Sequence, residues 1–405
     1  MRLRIGLSVF LPFAAGYFLS YLFRSINAVL AGNLETDLDL SAAQLGLVTS
    51  MYFLAFAGFQ LPLGILLDRF GPRRVEACLL MIAAAGAYLF SRGDGMFSLS
   101  LGRALIGLGV SACLMASLKA FVMWFPLERI ALMNGLLLAW GGLGAIVATR
   151  PTELVLDILG WRGIFLLLAC ACGAVAAAIW LLVPEPPGGE RSPIASVNGS
   201  GPGFSVIFAD ETFWRVAPLA AVSHGTAVAM QGLWAGPWLR DVADLSRSAA
   251  ANILLLIAVA MTFGFATWGV LGGFLRRFSL SEHQVACAGL VIFMLANLVL
   301  VLQADALAQP AWILAGFSGT AGTLFFAYLS QRFDRRMAGR VNTALNLIVF
   351  AGAFFVQWGV GIVIDLWQAD DGSRYPPVAY AWAFGLTLLL QIAALLWFLR
   401  PARST

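Results

Sequence analysis

Charged residues are scarce in this chain of 405 residues: they make up 11% of the sequence, whereas soluble domains carry about 25%. The scarcity excludes an ordinary soluble enzyme, a disordered chain and a coiled coil. The five cysteines all lie in apolar segments, without the spacing of a metal site or of a disulfide framework. The sequence also lacks a phosphate-cradling loop and a nucleophile motif. We therefore predict no enzymatic activity, no cofactor and no metal.

What the sequence has instead is hydrophobic residues, which make up 60% of it and are spread along the whole chain. A membrane-crossing helix needs about 20 apolar residues, whereas a β-barrel would show segments of about 10 alternating residues. We predict an all-α membrane protein with twelve transmembrane helices. They are centred on residues 5–31, 44–66, 75–92, 97–123, 130–155, 161–183, 214–238, 249–272, 284–303, 309–330, 341–366 and 378–399.

The distribution of basic residues predicts the orientation of the chain. With the amino terminus inside the cell, most of the 25 Lys and Arg residues fall on the inner side, as the positive-inside rule requires. The net charge of +4 is therefore interpreted as a record of orientation, and no nucleic-acid partner is predicted. We expect a multi-pass protein of a bacterial-type inner membrane, monomeric, with both termini in the cytoplasm.

One long break interrupts the predicted helices, at residues 184–213, and it is rich in Pro, Gly and Ser. This composition predicts a flexible cytoplasmic linker. It separates an amino-terminal six-helix bundle, residues 1–183, from a carboxy-terminal one, residues 214–405. The halves also echo each other: Asp157 and Trp161 end the fifth crossing much as Asp365 and Trp367 end the eleventh. Such an internal repeat is typical of secondary transporters.

A short motif stands between the second and third predicted helices and reads Gly64-Ile-Leu-Leu-Asp68-Arg69-Phe-Gly71-Pro-Arg73-Arg74. It resembles the signature loop of the major facilitator superfamily. The segment from Arg103 to Gly109, together with Trp124–Arg129 and Gly160–Phe165, also resembles sequences common in that superfamily. The resemblance implies two pseudo-symmetric six-helix bundles and transport by alternating access.

The motif has a physical function that can be inferred from its charges. The carboxylate of Asp68 and the surrounding bases can cap helix ends and form charge-assisted bonds across an inner gate. Alternatively, the bases only mark topology. The corresponding segment of the second half, Gly273–Arg277, lacks the acid. The predicted gate comprises Gly64, Asp68, Arg69, Gly71, Arg73, Arg74 and Arg103.

Intramembrane ionisable residues are functional candidates because their burial is costly. No Asp or Glu is predicted near the middle of a crossing, so a bound anion is the expected partner of buried bases. Arg24 shares the first helix with Tyr17, Ser20, Tyr21 and Asn27, within an arc of roughly 120°. The segment resembles the first helices of organophosphate antiporters and organic-anion symporters, which implies that Arg24 binds the anion. Snorkelling to the outer interface is the alternative.

Other candidates complete the predicted substrate site. Lys119, the only lysine in the chain, either snorkels to the inner interface or contacts the anion. His224 is the one predicted intramembrane group that titrates near neutral pH, and it lies on a stripe with Gln231, Trp234 and Trp238. Asn346 lies on the eleventh helix with Asn342 and Gln357. For these polar residues helix packing is the alternative role.

These observations predict a secondary transporter of a small organic anion, driven by exchange or by protons. The alternative is an exporter of lipophilic drugs or metabolites, in which Arg24 would be structural. The sequence names neither the substrate nor the direction of flux.

Overall fold

The computed structural model describes residues 2–184, 204–275, 277, 280–334, 337–367 and 374–400. Secondary structure in this part of the chain is helical, which confirms the all-α prediction. Ten helices there are long and apolar enough to cross a membrane. The second predicted crossing corresponds to a shorter apolar helix, Ala42–Gly58, which leads directly into the following helix. The seventh corresponds to an interrupted series of helices over residues 211–241.

The chain forms two compact units. Unit 1 comprises Met1–Leu34 and Val48–Gly201, and unit 2 comprises Glu35–Leu47 and Pro202–Thr405. Residues 185–203 of the predicted linker lie outside the described residues, as do Arg276 and the pair Arg335 and Arg336. The described end of the linker contains a short helix, Phe204–Ala209, and Asp210, whose carboxylate accepts a hydrogen bond from the Phe213 amide at 2.9 Å.

Unit 1 is built from long helices joined by short breaks. Their bounds are α1 (Arg2–Ser25), α2 (Asn27–Leu38), α3 (Ala42–Gly58), α4 (Gln60–Arg92), α5 (Met96–Val110), α6 (Cys113–Trp124), α7 (Leu127–Val147) and α8 (Arg150–Leu182). The last residues of α2 and the first of α3 group with unit 2. We call the membrane face at which α1 begins the amino-terminal face.

The predicted loop between the second and third crossings is a single residue. Helical conformation continues through the motif on both sides of Gly71, whose φ of 76° and ψ of 162° break α4. This backbone region is essentially restricted to glycine, because a Cβ atom would clash with the main chain. Gly71 therefore lets two crossings meet without a longer connection. Gly160, with φ 61°, breaks α8 in the same way.

Unit 2 follows with more interrupted helices. They are α9 (Phe204–Ala209), α10 (Glu211–Ala229), a π-helix over Met230–Trp234, α11 (Ala235–Asp241), α12 (Arg247–Leu275), α13 (Glu282–Val301), α14 (Asp305–Ser318), a 3₁₀ turn over Gly319–Thr323, α15 (Leu324–Arg332), α16 (Ala338–Ile364) and α17 (Pro377–Leu399). The π-helix inserts an extra residue into one turn, a feature frequent at functional sites.

A polar network ties the segment 35–47 to the rest of unit 2. Glu35 accepts a hydrogen bond from Arg240 at 2.7 Å, and the Ser41 hydroxyl donates to Asp365 at 2.7 Å. The Tyr375 hydroxyl accepts from the Ala42 amide at 3.0 Å and donates to Asp365 at 2.6 Å. Burial raises the pKa of Glu35 to about 6, although Arg240 opposes the rise.

Candidate functional site: a cationic and aromatic cluster in unit 1

Arg24 lies among aromatic rings inside unit 1. Its guanidinium is 4.7 Å from the ring centroid of Tyr21 and 5.7 Å from that of Phe56 on α3. The Phe56 ring stacks on the Tyr52 ring at 6.0 Å. Tyr52 also interacts with the Arg24 guanidinium. The face of an aromatic ring attracts a cation. The guanidinium is therefore directed to the contact between α1 and α3, which differs from the placement expected of a side chain that snorkels to the headgroups.

A second guanidinium also lies close to Tyr52. Arg103 on α5 is fully buried, with 1% of its surface exposed, and stands 5.1 Å from the Tyr52 ring. It donates a hydrogen bond to the Phe23 carbonyl at 3.2 Å. Within the described part of the chain no carboxylate pairs with it. We call Tyr17, Tyr21, Arg24, Tyr52, Phe56 and Arg103 the cationic cluster.

Glycine on α7 makes room for the tyrosines of the cluster. The Tyr17 and Tyr21 rings meet edge to face at 5.1 Å. A Cβ atom on Gly141 would stand 2.6 Å from the Tyr17 ring and 3.0 Å from Tyr21, so α7 packs directly on both. The predicted grouping of Tyr17, Tyr21 and Arg24 on one side of the first helix agrees with these contacts. Tyr52, Phe56 and Arg103 join them from other helices.

Lys119 lies away from the cationic cluster, near the end of α6. Its ammonium forms an ion pair with Asp68 of the motif at 2.6 Å and donates to the Leu67 carbonyl at 2.8 Å. The only lysine of the chain therefore belongs with the predicted gate. Arg103 was predicted as part of that gate, but it lies about 24 Å further along the same crossing at 1.5 Å per residue.

The remaining residues of the motif have different surroundings. Arg73 donates to the Trp180 carbonyl at 3.2 Å through Nε and stands over the Trp180 ring at 5.7 Å, so it joins α4 to α8. Arg69 stands over the Phe70 ring at 5.1 Å. Gly64 has open space around its α-carbon. The Asp68–Lys119 pair is therefore the contact by which the motif engages α6.

The ion pair of Lys119 gives a testable expectation. Lys119→Ala should lower the maximal transport rate several-fold with KM unchanged, because the pair lies at the motif and away from the cationic cluster. Thermal stability should fall by less than about 1 kcal/mol, since Asp68 is 72% exposed. Lys119→Arg should keep most of the rate.

The matched control is Arg162→Ala, which removes another exposed pair of unit 1, with Asp94 at 2.7 Å. It should leave the rate intact. A raised KM in Lys119→Ala, with the maximal rate preserved, would return Lys119 to the role of an anion contact.

Unit 2 carries the other predicted substrate contacts. The His224 ring on α10 meets Phe350 of α16 edge to face at 6.3 Å, and Asn346 lies one helical turn before Phe350. Gln231 falls inside the π-helix, and its amide nitrogen is buried without a hydrogen-bond partner among the described residues. These three polar residues line neighbouring parts of α10, the π-helix and α16.

Trp234 has a packing role in this structure. Its side chain is fully buried, and its indole nitrogen donates to the Gln357 carbonyl at 2.9 Å. Cβ atoms on Gly46 and Gly361 would meet its ring at 3.3 and 3.1 Å. Trp234 therefore fills the space between α16 and the segment 35–47.

Glu76, which the sequence places at the start of the third crossing, is a buried acid that the predicted site did not include. This residue is fully buried on α4, and Gly16, near the centre of the span Gly6–Ser25, packs against its carboxyl group. Sequence reasoning placed Glu76 at a helix end, because it follows the motif. Counted from Arg92, Glu76 lies about 24 Å along the helix, so its burial comes from packing against α1 and not from a central depth in the membrane.

Comparison with known proteins relates this fold to transporters. The family model of the Major Facilitator Superfamily matches residues 13–357. The hexuronate transporter of Bacillus subtilis is 21% identical, covering 96% of this chain and 93% of its own. The probable sulfoacetate transporter SauU of Cupriavidus necator is 27% identical, but the match spans only 41% of this chain and 38% of that protein.

A solved structure shows the same architecture. The inward-facing, unoccupied structure of a bacterial homologue of the human lysosomal transporter Spinster superposes with a TM-score of 0.78 at 18% identity. The match covers 96% of this chain and 95% of that one.

Proposed function

The chain belongs to the major facilitator superfamily and is a multi-pass membrane transporter of twelve helices rather than an enzyme; from this premise we propose that it moves a small organic anion by alternating access. The observation that carries the proposal is the cationic cluster. Arg24 and Arg103 both lie close to Tyr52 inside one helical unit, and Arg103 has no carboxylate partner among the described residues. Positive charge in a dry interior favours an anionic guest.

Arg24 is the residue we assign to the anionic group itself. It is half-buried, whereas Arg103 is enclosed and contributes charge from its place over the Tyr52 ring. The planar guanidinium matches the geometry of a carboxylate or a sulfonate. Tyr17 and Tyr21 supply hydroxyl groups beside it. Two of the relatives named above are described as transporters of hexuronate and of sulfoacetate, and both compounds are anions at neutral pH, which supports the assignment.

Two ion pairs fit the conformational cycle of such a transporter. Asp68–Lys119 joins α4 to α6 near the amino-terminal face, and Glu35–Arg240 holds the segment 35–47. We propose that these contacts break in alternation during turnover. The distribution of basic residues supports a cytoplasmic amino-terminal face in a bacterial plasma membrane.

A thermal-shift measurement on the purified protein tests the proposed substrate class. D-Glucuronate or sulfoacetate should raise the unfolding temperature, because a ligand that binds only the folded state stabilises it by about 2.7 kcal/mol at 100 times its Kd. D-Glucose, the neutral counterpart of glucuronate, is the control and should have no effect. Stabilisation by tetraphenylphosphonium, with neither anion effective, would favour export of lipophilic compounds instead.

A further inference from the structure

Glu76 is an acid buried in unit 1 that the proposed anion site does not use. None of its surface is exposed. A Cβ atom on Gly16 of α1 would overlap its Oε1 atom and would lie 3.6 Å from a methyl group of Leu80. The thiol of Cys113, at the start of α6, faces the same carboxyl group. The carboxyl group therefore lies where α1, α4 and α6 meet.

The enclosure of this position follows from the helices around it. Gly16 is near the centre of the 20-residue span Gly6–Ser25. Cys113 is an interior residue of the span Met96–Trp124, and it directly follows the break between α5 and α6. Glu76 is thus covered on all sides by protein, although it lies only about 8 Å along α4 from Gly71. Water and headgroups do not solvate its carboxyl group in this conformation.

Among the residues that the structure describes, no base is paired with Glu76. Apart from the weak thiol donor of Cys113, neither carboxyl oxygen has a hydrogen-bond partner within the described part of the chain. Lys119 is paired with Asp68, Arg103 is bonded to the Phe23 carbonyl, and Arg24 stands over the Tyr21 ring. An isolated ionised carboxylate in such a place would cost far more than its neutral form, so the group takes up a proton.

The other titratable groups at this position are neutral near pH 7. They are Cys113 on α6, Tyr17 on α1 and Cys172 on α8. Cys172 interacts electrostatically with Cys113. Thiols and phenols ordinarily lose their protons only above neutral pH. Glu76 is therefore the group at this meeting point of helices whose charge can change in the physiological range once water reaches it.

The helices around Glu76 are suited to a change of exposure. The break between α5 and α6 at Ser111 and Ala112 directly precedes Cys113, and such breaks are where a helix bends. The absence of a side chain at Gly16 keeps α1 in direct contact with the carboxyl group. A small separation of α1 from α4 during turnover would admit water and favour ionisation.

We propose that Glu76 is the proton-binding site of this chain, protonated in the conformation described here and deprotonated when the surrounding helices part, so that anion movement is coupled to proton movement. The inference deepens the proposed function and rests on it for the anion. In each cycle the carboxyl O–H bond breaks and its proton passes to water on one side of the membrane. The carboxylate later takes a proton from water on the other side.

Protonation is tested without any substrate, by infrared spectroscopy of the purified protein in lipid. At pH 7 the wild type should show the carbonyl stretch of a protonated buried carboxylic acid. The frequency of this band should fall when H₂O is replaced by D₂O. Glu76→Gln should lack this band. Glu153→Gln should retain it, because Glu153 is buried at 5% exposure but is ion-paired with Arg150. A band absent from the wild type, or retained in Glu76→Gln, overturns the proposal.

Coupling is tested in proteoliposomes, with D-glucuronate and sulfoacetate as probes. The wild type should accumulate the transported probe at least tenfold under an imposed pH gradient. Glu76→Gln, which mimics the protonated form, should keep counterflow exchange and lose this accumulation, whereas Glu153→Gln should keep both. Accumulation preserved in Glu76→Gln, or lost only in His224→Asn, refutes proton coupling through Glu76. Absence of counterflow for both probes in the wild type refutes the proposed function and leaves the infrared result standing.

Discussion

Replacement of Arg24 by alanine is expected to abolish uptake of the anionic substrate while the protein remains folded. Truncation of one partner of a desolvated charge pair costs about 2–5 kcal/mol, which corresponds to a loss of affinity of roughly 30-fold to 4000-fold. Arg24→Lys should give an intermediate loss, because an ammonium keeps the charge but lacks the bidentate geometry. Affinity is measured by thermal shift and uptake in proteoliposomes, with D-glucuronate and sulfoacetate as probes.

The control for this experiment is another arginine of unit 1 that also contacts an aromatic ring. Arg162 stands over Trp161 at 4.2 Å and pairs with Asp94, away from the cationic cluster. Arg162→Ala should bind the anion as the wild type does. Wild-type affinity in Arg24→Ala would contradict the anion role and would make Arg24 a structural residue that packs against Tyr21 and Phe56.

The helical period predicted part of the cationic cluster and could not predict the rest. Tyr17, Tyr21 and Arg24 lie three or four residues apart, so they share one side of a helix by geometry alone. Tyr52 and Arg103 approach them through packing of α3 and α5 against α1. Such contacts depend on which glycines let two helices come close, and hydrophobic periodicity does not encode that pairing.

The burial of Glu76 is harder to predict than the number of helices. The sequence predicts where the crossings are, but it also predicts a loop before the third helix and therefore places Glu76 at the end of that helix. In the structure Gly71 is the whole connection, so residues just after the motif already belong to the interior of unit 1. The role of Lys119 is not determined by the sequence either, because its ion-pair partner Asp68 is remote in sequence.

A change of helical period explains why the polar stripe predicted for the seventh crossing does not form as a single line of side chains. The predicted stripe of His224, Gln231, Trp234 and Trp238 assumes a constant 100° per residue. The π-helix over Met230–Trp234 adds a residue to one turn and shifts everything after it around the axis. Trp234 consequently packs against α16, while Gln231 remains inside the irregular turn.

Gly107 is the position where a small substitution should have the largest effect on the fold of unit 1. A Cβ atom there would overlap the backbone carbonyl of Tyr52, which side-chain rotation cannot relieve. Gly107→Ala must therefore push α5 away from α3, at a cost of about 1–3 kcal/mol. Close helix contacts in membranes depend on such small residues.

The same substitution should also weaken anion binding, because Gly107 lies one turn after Arg103 and both contact Tyr52. Gly135→Ala on α7 is the matched control: it has open space around it and should be neutral or stabilising by about 0.5–1 kcal/mol. Thermal unfolding and the anion-induced shift are measured for both variants. If Gly107→Ala unfolds at the temperature of the wild type, α3 and α5 do not approach as described. The placement of Tyr52 close to both Arg103 and Arg24 would then be wrong as well, because it depends on the contact between α3 and α5.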